Sequence, residues 1–191
     1  MSPPTEHEKR FAEHLAKLVK DQNLGALAAL RRGLGKRPGE AAEAHRYVVP
    51  WLPAGARLWQ EDAYYLVAAL FAWHRGSWPE GDGADRRVTN LGASFARLRD
   101  QTESDSTEKR FAALLNCHRD DLPHHLRQAV GLLRSKDVPI DWAQLLRDVI
   151  DWDRESRSVQ RAWARAFWAQ IAAASGEPPA TGQEQDHHEE R

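Results

Sequence analysis

Cationic side chains at helical spacing are the residues of this chain with the clearest chemistry. Arg154, Arg157, Arg161 and Arg165 follow one another at intervals of three, four and four. At about 100° per residue this spacing sets them on one narrow face of a predicted helix. Val159, Trp163 and Phe167 fall roughly opposite, while Trp168 falls beside the arginines. A basic track edged by an aromatic ring can follow a nucleic-acid backbone and stack a base, or dock a partner subunit. The plain alternative is a solvated face, since Asp151, Asp153 and Glu155 stand where they could pair with these arginines along the helix.

A second track lies on the predicted helix from residue 122 to 136, where Arg127, Gly131 and Arg134 share a face. Gly131 would let a ligand backbone approach between the two cations. Lys109 and Arg110 open the preceding helix and Arg119 sits in the joint between the two, so all three could extend that surface. Arg31, Arg32, Lys36 and Arg37 form a separate cluster around Gly35 and Pro38-Gly39, a helix end followed by a turn. Cations at a helix C-terminus are also favoured by the dipole, with no ligand involved.

Enzymatic chemistry is not supported. His118-Arg119-Asp120 mimics the start of a kinase catalytic loop, but the downstream asparagine, the glycine-rich loop and Asp-Phe-Gly are missing. His7-Glu8 lacks the second histidine of a zinc-protease helix. His124 and His125 point to different faces and cannot clamp one metal together. Cys117-His118 has no identifiable partner for a nucleophile, and the acids are spread singly among bases rather than clustered for a metal-dependent nuclease. No catalytic residue, cofactor or metal site is expected.

The elements that must position these cations are helices. Phe11, Leu15, Leu18 and Val19 share a face, as do Ala63, Leu66, Val67, Leu70 and Phe71. Leu91, Phe95 and Leu98 continue the series, followed by Phe111, Leu114 and Leu115, then by Leu122, Leu126, Val130 and Leu133. Trp142, Leu145, Leu146, Val149 and Ile150 give the cleanest stripe, and Val159, Trp163, Phe167 and Ile171 close it. No segment alternates with period two for long enough to form a strand, so the predicted fold is all-α. Capping boxes are expected at Thr5 with Glu8, Asp105 with Glu108, and Asp141 with Gln144. Pro50-Trp51-Leu52-Pro53 and the stretch 78–83 break helices. The polar stretch 101–106 is read as a joint, giving an N-terminal helical domain over 1–103 and a C-terminal helical bundle over 104–176. Residues 177–191 should form a disordered acidic tail. The start of the first helix, Glu8-Lys9-Arg10-Phe11-Ala12, recurs at 108–112, which reads as convergence on a good amphipathic start. Trp142, Trp152 and Trp163 belong to the expected core, whereas Trp51, Trp59 and Trp78 sit near loops, where an interface role is as natural as packing.

Composition sets the outer bounds. The 191 residues are 41% hydrophobic and 29% charged, and the net charge is −1. Five acids and one arginine in 177–191 give that segment −4, which leaves +3 for the rest. Nucleic-acid affinity must therefore come from local patches rather than a global field. Of 27 basic residues 21 are arginine, the side chain suited to phosphate forks. No apolar run approaches the about 20 residues a membrane span needs. Met1-Ser2-Pro3-Pro4 leads directly into a polar helix, so a cytoplasmic protein without membrane contact is expected. A single cysteine excludes an intramolecular disulfide.

Several blocks, in order, resemble one family. They are 25–33 (GALAALRRG), 90–95 (NLGASF), 106–111 (STEKRF), 122–128 (LPHHLRQ), 138–142 (VPIDW), Trp152-Asp153 and 163–168 (WARAFW). Together they are similar to CasB, the small subunit of the type I-E CRISPR Cascade surveillance complex. The resemblance implies a two-part helical protein sitting as a head-to-tail pair beside the backbone and large subunits of Cascade. It further implies a non-catalytic role in antiviral defence, contacting guide RNA and target DNA and stabilising the R-loop and displaced strand. Arg31, Arg32, Lys109, Arg110, Arg127 and Arg134 are the expected phosphate contacts within these blocks. Lys36, Arg119 and the four arginines from 154 to 165 rest on position and spacing. The alternatives are a free-standing, nonspecific nucleic-acid-binding protein and a pure protein scaffold.

Overall fold

The computed structural model describes residues 2–37, 40–78, 89–102 and 105–175, without the side chains of 105 and 170–175. The expected tail, and residues 79–83 of the expected loop, lie outside the described residues.

Among the described residues the regular structure is nine α-helices and three short 3-10 turns. They are α1 (Glu6–Lys20), α2 (Leu24–Arg31), α3 (His45–Val48), α4 (Leu58–Trp73) and α5 (Leu91–Thr102) in the first part of the chain. After the joint come α6 (Asp105–Asn116), α7 (Leu122–Ser135), α8 (Trp142–Ile150) and α9 (Ser158–Ser175). The one extended pairing among these residues is an isolated parallel bridge between Ser77 and Ile140. The fold is all-α.

Local signals place the helix starts. The Thr5 hydroxyl accepts from the Glu8 amide at 3.4 Å while the Glu8 carboxylate accepts from the Thr5 amide, closing a capping box on α1. Asn23 caps α2 and Asp141 caps α8, each accepting from the amide three residues on. The box expected at Asp141 is not closed, because the Gln144 side chain donates instead to the Ser2 carbonyl and to Asp148, and the box expected at Asp105 involves a side chain outside the described set. The joint is shorter than expected. Gln101 and Thr102 finish α5, with the Thr102 hydroxyl donating back to the Leu98 carbonyl, and α6 has begun by Asp105.

All the expected stripes face inward, apart from Ile171, which lies outside the described side chains. Leu145, Leu146, Phe11, Leu15, Leu126, Leu133, Trp163 and Phe167 are each at most 1% exposed. At about 25 cal/mol per Å2, complete burial of each such side chain stabilises the fold by roughly 1.5–3 kcal/mol before entropy is set against it. The core is continuous across the joint: α8 packs on α1 and α4, and α5 packs along α9. Trp142 reinforces that crossing, with its indole N–H donating to the Gly76 carbonyl at 3.1 Å. His74 does the same from Nε2 to the Val138 carbonyl at 2.7 Å.

Candidate nucleic-acid interface

The C-terminal arginine track is not one helical face. α9 begins at Ser158, so Arg154 and Arg157 precede it. Arg154 sits in a turn and pairs with Asp151 at 3.0 Å. Arg157 has φ +48, outside the helical region, and its Nη2 donates to the Leu115 carbonyl at 2.6 Å, satisfying the end of α6. Both make contacts within the fold, in the segment 151–157 that joins α8 to α9. Arg161 and Arg165 alone remain on an exposed helical face, one turn apart. Trp168, placed by spacing beside the arginines, instead packs on Phe167 and Phe111 at centroid distances of 4.8 and 5.8 Å.

The α7 track is real but its glycine serves packing. The Trp73 ring comes within 3.0 Å of where a Gly131 Cβ would stand, so the gap between Arg127 and Arg134 is filled from α4. Arg134 lies over the same ring, 5.4 Å from its centroid. Arg127 reaches in the other direction, towards the loop that follows α2. Its Nη1 lies 2.7 Å from the position a Cβ would take on Gly35, whose φ of +76 favours glycine.

That reach closes one side of a cleft of about 530 Å3 between the two parts of the chain. Lys36 and Arg37 line it from the loop after α2, Trp59, Asp62 and Tyr65 from α4, and Arg119, His124 and Arg127 from the 3-10 turn and α7. Sequence spacing gave no sign that Lys36 and Arg127 are neighbours, because the proximity arises only when α4 docks between α2 and α7. Asp62 and Tyr65 are the cleft residues that sequence reasoning did not single out, whereas Arg37 was read in the basic cluster after α2 and Trp59 as a tryptophan near a loop. Of the two rings only Trp59 was legible, from its place near a loop.

Arg119 is a structural member of this wall. Its guanidinium pairs with Asp153 at 3.3 Å, lies 5.0 Å over the Trp59 ring and donates to the Trp59 carbonyl at 3.4 Å. The other cleft cations are exposed, and among the described residues no carboxylate lies within ion-pair distance of Lys36, Arg37 or Arg127. Burial and the adjacent Glu61 push the Asp62 carboxyl above its ordinary range, against the pull of Arg119.

The remaining expected cations stand apart from the cleft. Arg31 and Arg32 are exposed at the end of α2, with Arg32 3.8 Å from Glu43, a surface pair worth little in water. Lys109 and Arg110 are exposed on α6, where Arg110 borders a shallow depression with His125 and Gln128. Burial, with Asp121 nearby, pushes the Cys117 thiol up to about 11, so it is a protonated, half-buried packing group at neutral pH. Among the described residues no group of three or more His, Cys, Asp or Glu could hold a metal ion, and no helix is long and apolar enough to cross a membrane.

The sequence profile of the CRISPR-associated protein Cse2 matches residues 26–168, which includes every cation considered for the interface. The chain belongs to the Cse2 (CasB) family. Cse2 of Thermus thermophilus is 39% identical over 162 residues, which cover 84% of this chain and 89% of that protein. The crystal structure of M. ruber CasB superposes with a TM-score of 0.73 at 32% identity, covering 90% of this chain and 98% of that one. A chain of a CRISPR RNA-guided surveillance complex superposes with a TM-score of 0.73 at 33% identity and the same coverage. The Cse2 likeness therefore spans both parts of the chain and both banks of the cleft.

Proposed function

We propose that this chain is a non-catalytic small subunit of a type I-E Cascade complex, contributing backbone contacts that stabilise the guide RNA–target DNA R-loop and the displaced strand. The observation that carries the reading is the near-complete likeness to a chain of a CRISPR RNA-guided surveillance complex. The exposed cations of the cleft, with Arg134 beside Trp73 and the pair Lys109 and Arg110, supply the charge such a role needs. Strand exchange between a DNA duplex and an RNA–DNA hybrid is nearly balanced, so contacts without sequence preference can tip it towards the open state. Several weak, salt-sensitive arginine–phosphate contacts acting together suffice, and base reading is left to the guide. In this role the chain works as a head-to-tail pair in the cytoplasm as part of antiviral defence.

Native mass spectrometry of the reconstituted complex tests the assignment. Mixed with the other Cascade subunits and guide RNA, the chain should be taken up as two copies per complex. A complex that assembles fully without this chain contradicts it.

A further inference from the structure

The cleft has a feature that backbone contact alone leaves unused. Its floor is aliphatic, with Leu34 from the loop after α2 and Leu66 from α4 half-buried at the surface and Leu30, Ala69 and Leu70 packed beneath them. Its cations stand in solvent at the edge, Lys36 and Arg37 on one bank and Arg127 on the other. A bare phosphate would need the charges but no apolar floor, and an aliphatic group would need the floor but no charges. The two together suit a flat heteroaromatic group attached to phosphates.

Two aromatic rings in the wall strengthen that match. Trp59 is 37% exposed and fixed in place by Arg119, which lies over its ring and bonds its carbonyl. Tyr65 is held by the hydrogen bond between its hydroxyl and His45 Nδ1 at 2.6 Å. Rings presented in this way are stacking platforms for bases of a single strand. The Asp62 carboxyl adds a hydrogen-bonding group to the same wall. A volume of about 530 Å3 falls within the size of small-ligand sites and is far too small for a duplex.

We propose, resting on the nucleic-acid reading above, that this cleft receives an unstacked base of single-stranded nucleic acid while its flanking phosphates lie on Lys36, Arg37 and Arg127. A paired base would first have to leave its stack at a cost in free energy, so the cleft discriminates in favour of strands already opened. Gly35 is the positioning residue, since its missing Cβ leaves the space that the Arg127 guanidinium approaches.

The test compares binding of the full-length chain, at low salt, to a short fluorescent oligothymidylate and to an abasic strand with the same number of phosphates. The strand with bases should bind about tenfold more tightly, the stacking contribution of one base. Leu34→Trp, which fills the floor, and Trp59→Ala, at an exposed position, should each erase that preference while circular dichroism stays unchanged. Equal affinity for the two strands overturns base insertion and leaves the backbone reading standing. Binding of neither strand overturns the cleft proposal, while the subunit assignment is decided by incorporation into the complex. Free thymidine monophosphate binding as tightly as the oligomer would identify a nucleotide-ligand site and also overturn the proposal. So would a photo-cross-linker at position 34, in the reconstituted complex, that captures a protein subunit instead of a strand.

Discussion

At the residue scale, two groups on α8 carry charge into the interior. Asp148 is 1% exposed and accepts hydrogen bonds from Trp163 Nε1 at 2.6 Å and Gln144 Nε2 at 2.9 Å. Burial outweighs those two bonds and lifts its carboxyl from the ordinary 3.8 to about 7, with Asp141 and Asp151 adding to the rise. The folded state thus binds this proton more tightly than the unfolded chain does. Its contribution to stability is complete below pH about 4 and is lost as pH rises through about 7. Urea midpoints measured from pH 4 to 8 should show Asp148→Asn gaining on the parent chain as pH rises, and a constant offset between the two would contradict this. Arg147 carries the opposite charge into a neighbouring network, bonding Asp151 at 3.0 Å and Glu8 at 3.4 Å. Glu8 is 4% exposed and Asp151 7%, so removing Arg147 takes from Glu8 its cation and leaves Asp151 only the half-exposed Arg154. Arg147→Met should cost about 3 kcal/mol in denaturant unfolding, and a loss under about 1 kcal/mol would show that water already screens the network.

At the element scale, α5 and α9 approach closely at Gly92. A Cβ on Gly92 would stand 2.1 Å from the Trp163 carbonyl oxygen and 2.7 Å from its carbon. Glycine to alanine inside a helix ordinarily gains up to about 1 kcal/mol from propensity. Here the obstacle is backbone, which cannot step aside, and overpacking costs about 1–3 kcal/mol. Gly92→Ala should therefore lower the thermal midpoint, and a rise would contradict the packing of the pair. Much of this scale was legible in sequence. The stripe from Trp142 to Ile150 is buried as its spacing required, and Asp141 caps its helix as an aspartate before an apolar run should. Arg154 and Arg157 misled because i, i+3 and i+4 spacing assumes an unbroken helix. The break before Ser158 is made by a positive φ at Arg157 and a bond to α6, a tertiary contact that no local pattern encodes. Gly131 misled for the same reason, since the ring that fills its notch comes from α4.

At the scale of the whole molecule, the chain brings cations from both sides of its joint to one concave surface. The basic character of Arg127 and Lys36 was visible in sequence, but their 91-residue separation hid that they share a cleft. Lys109, Arg110, Arg161 and Arg165 are exposed elsewhere, consistent with backbone contact spread over several faces rather than one site. If Lys36 and Arg127 each meet a phosphate, each displaces a counterion on binding, and the salt dependence of affinity counts them. The slope of log affinity against log salt should lose about 0.7 for each contact removed from a single strand. The most direct measurement is that slope for target DNA binding by the reconstituted complex, with the parent chain and with Lys36→Glu/Arg127→Glu. The double substitution should be incorporated normally, bind more weakly at low salt and show a slope shallower by about 1.4 per copy of the chain. An unchanged slope and affinity with full incorporation would contradict the assignment of this surface to nucleic acid.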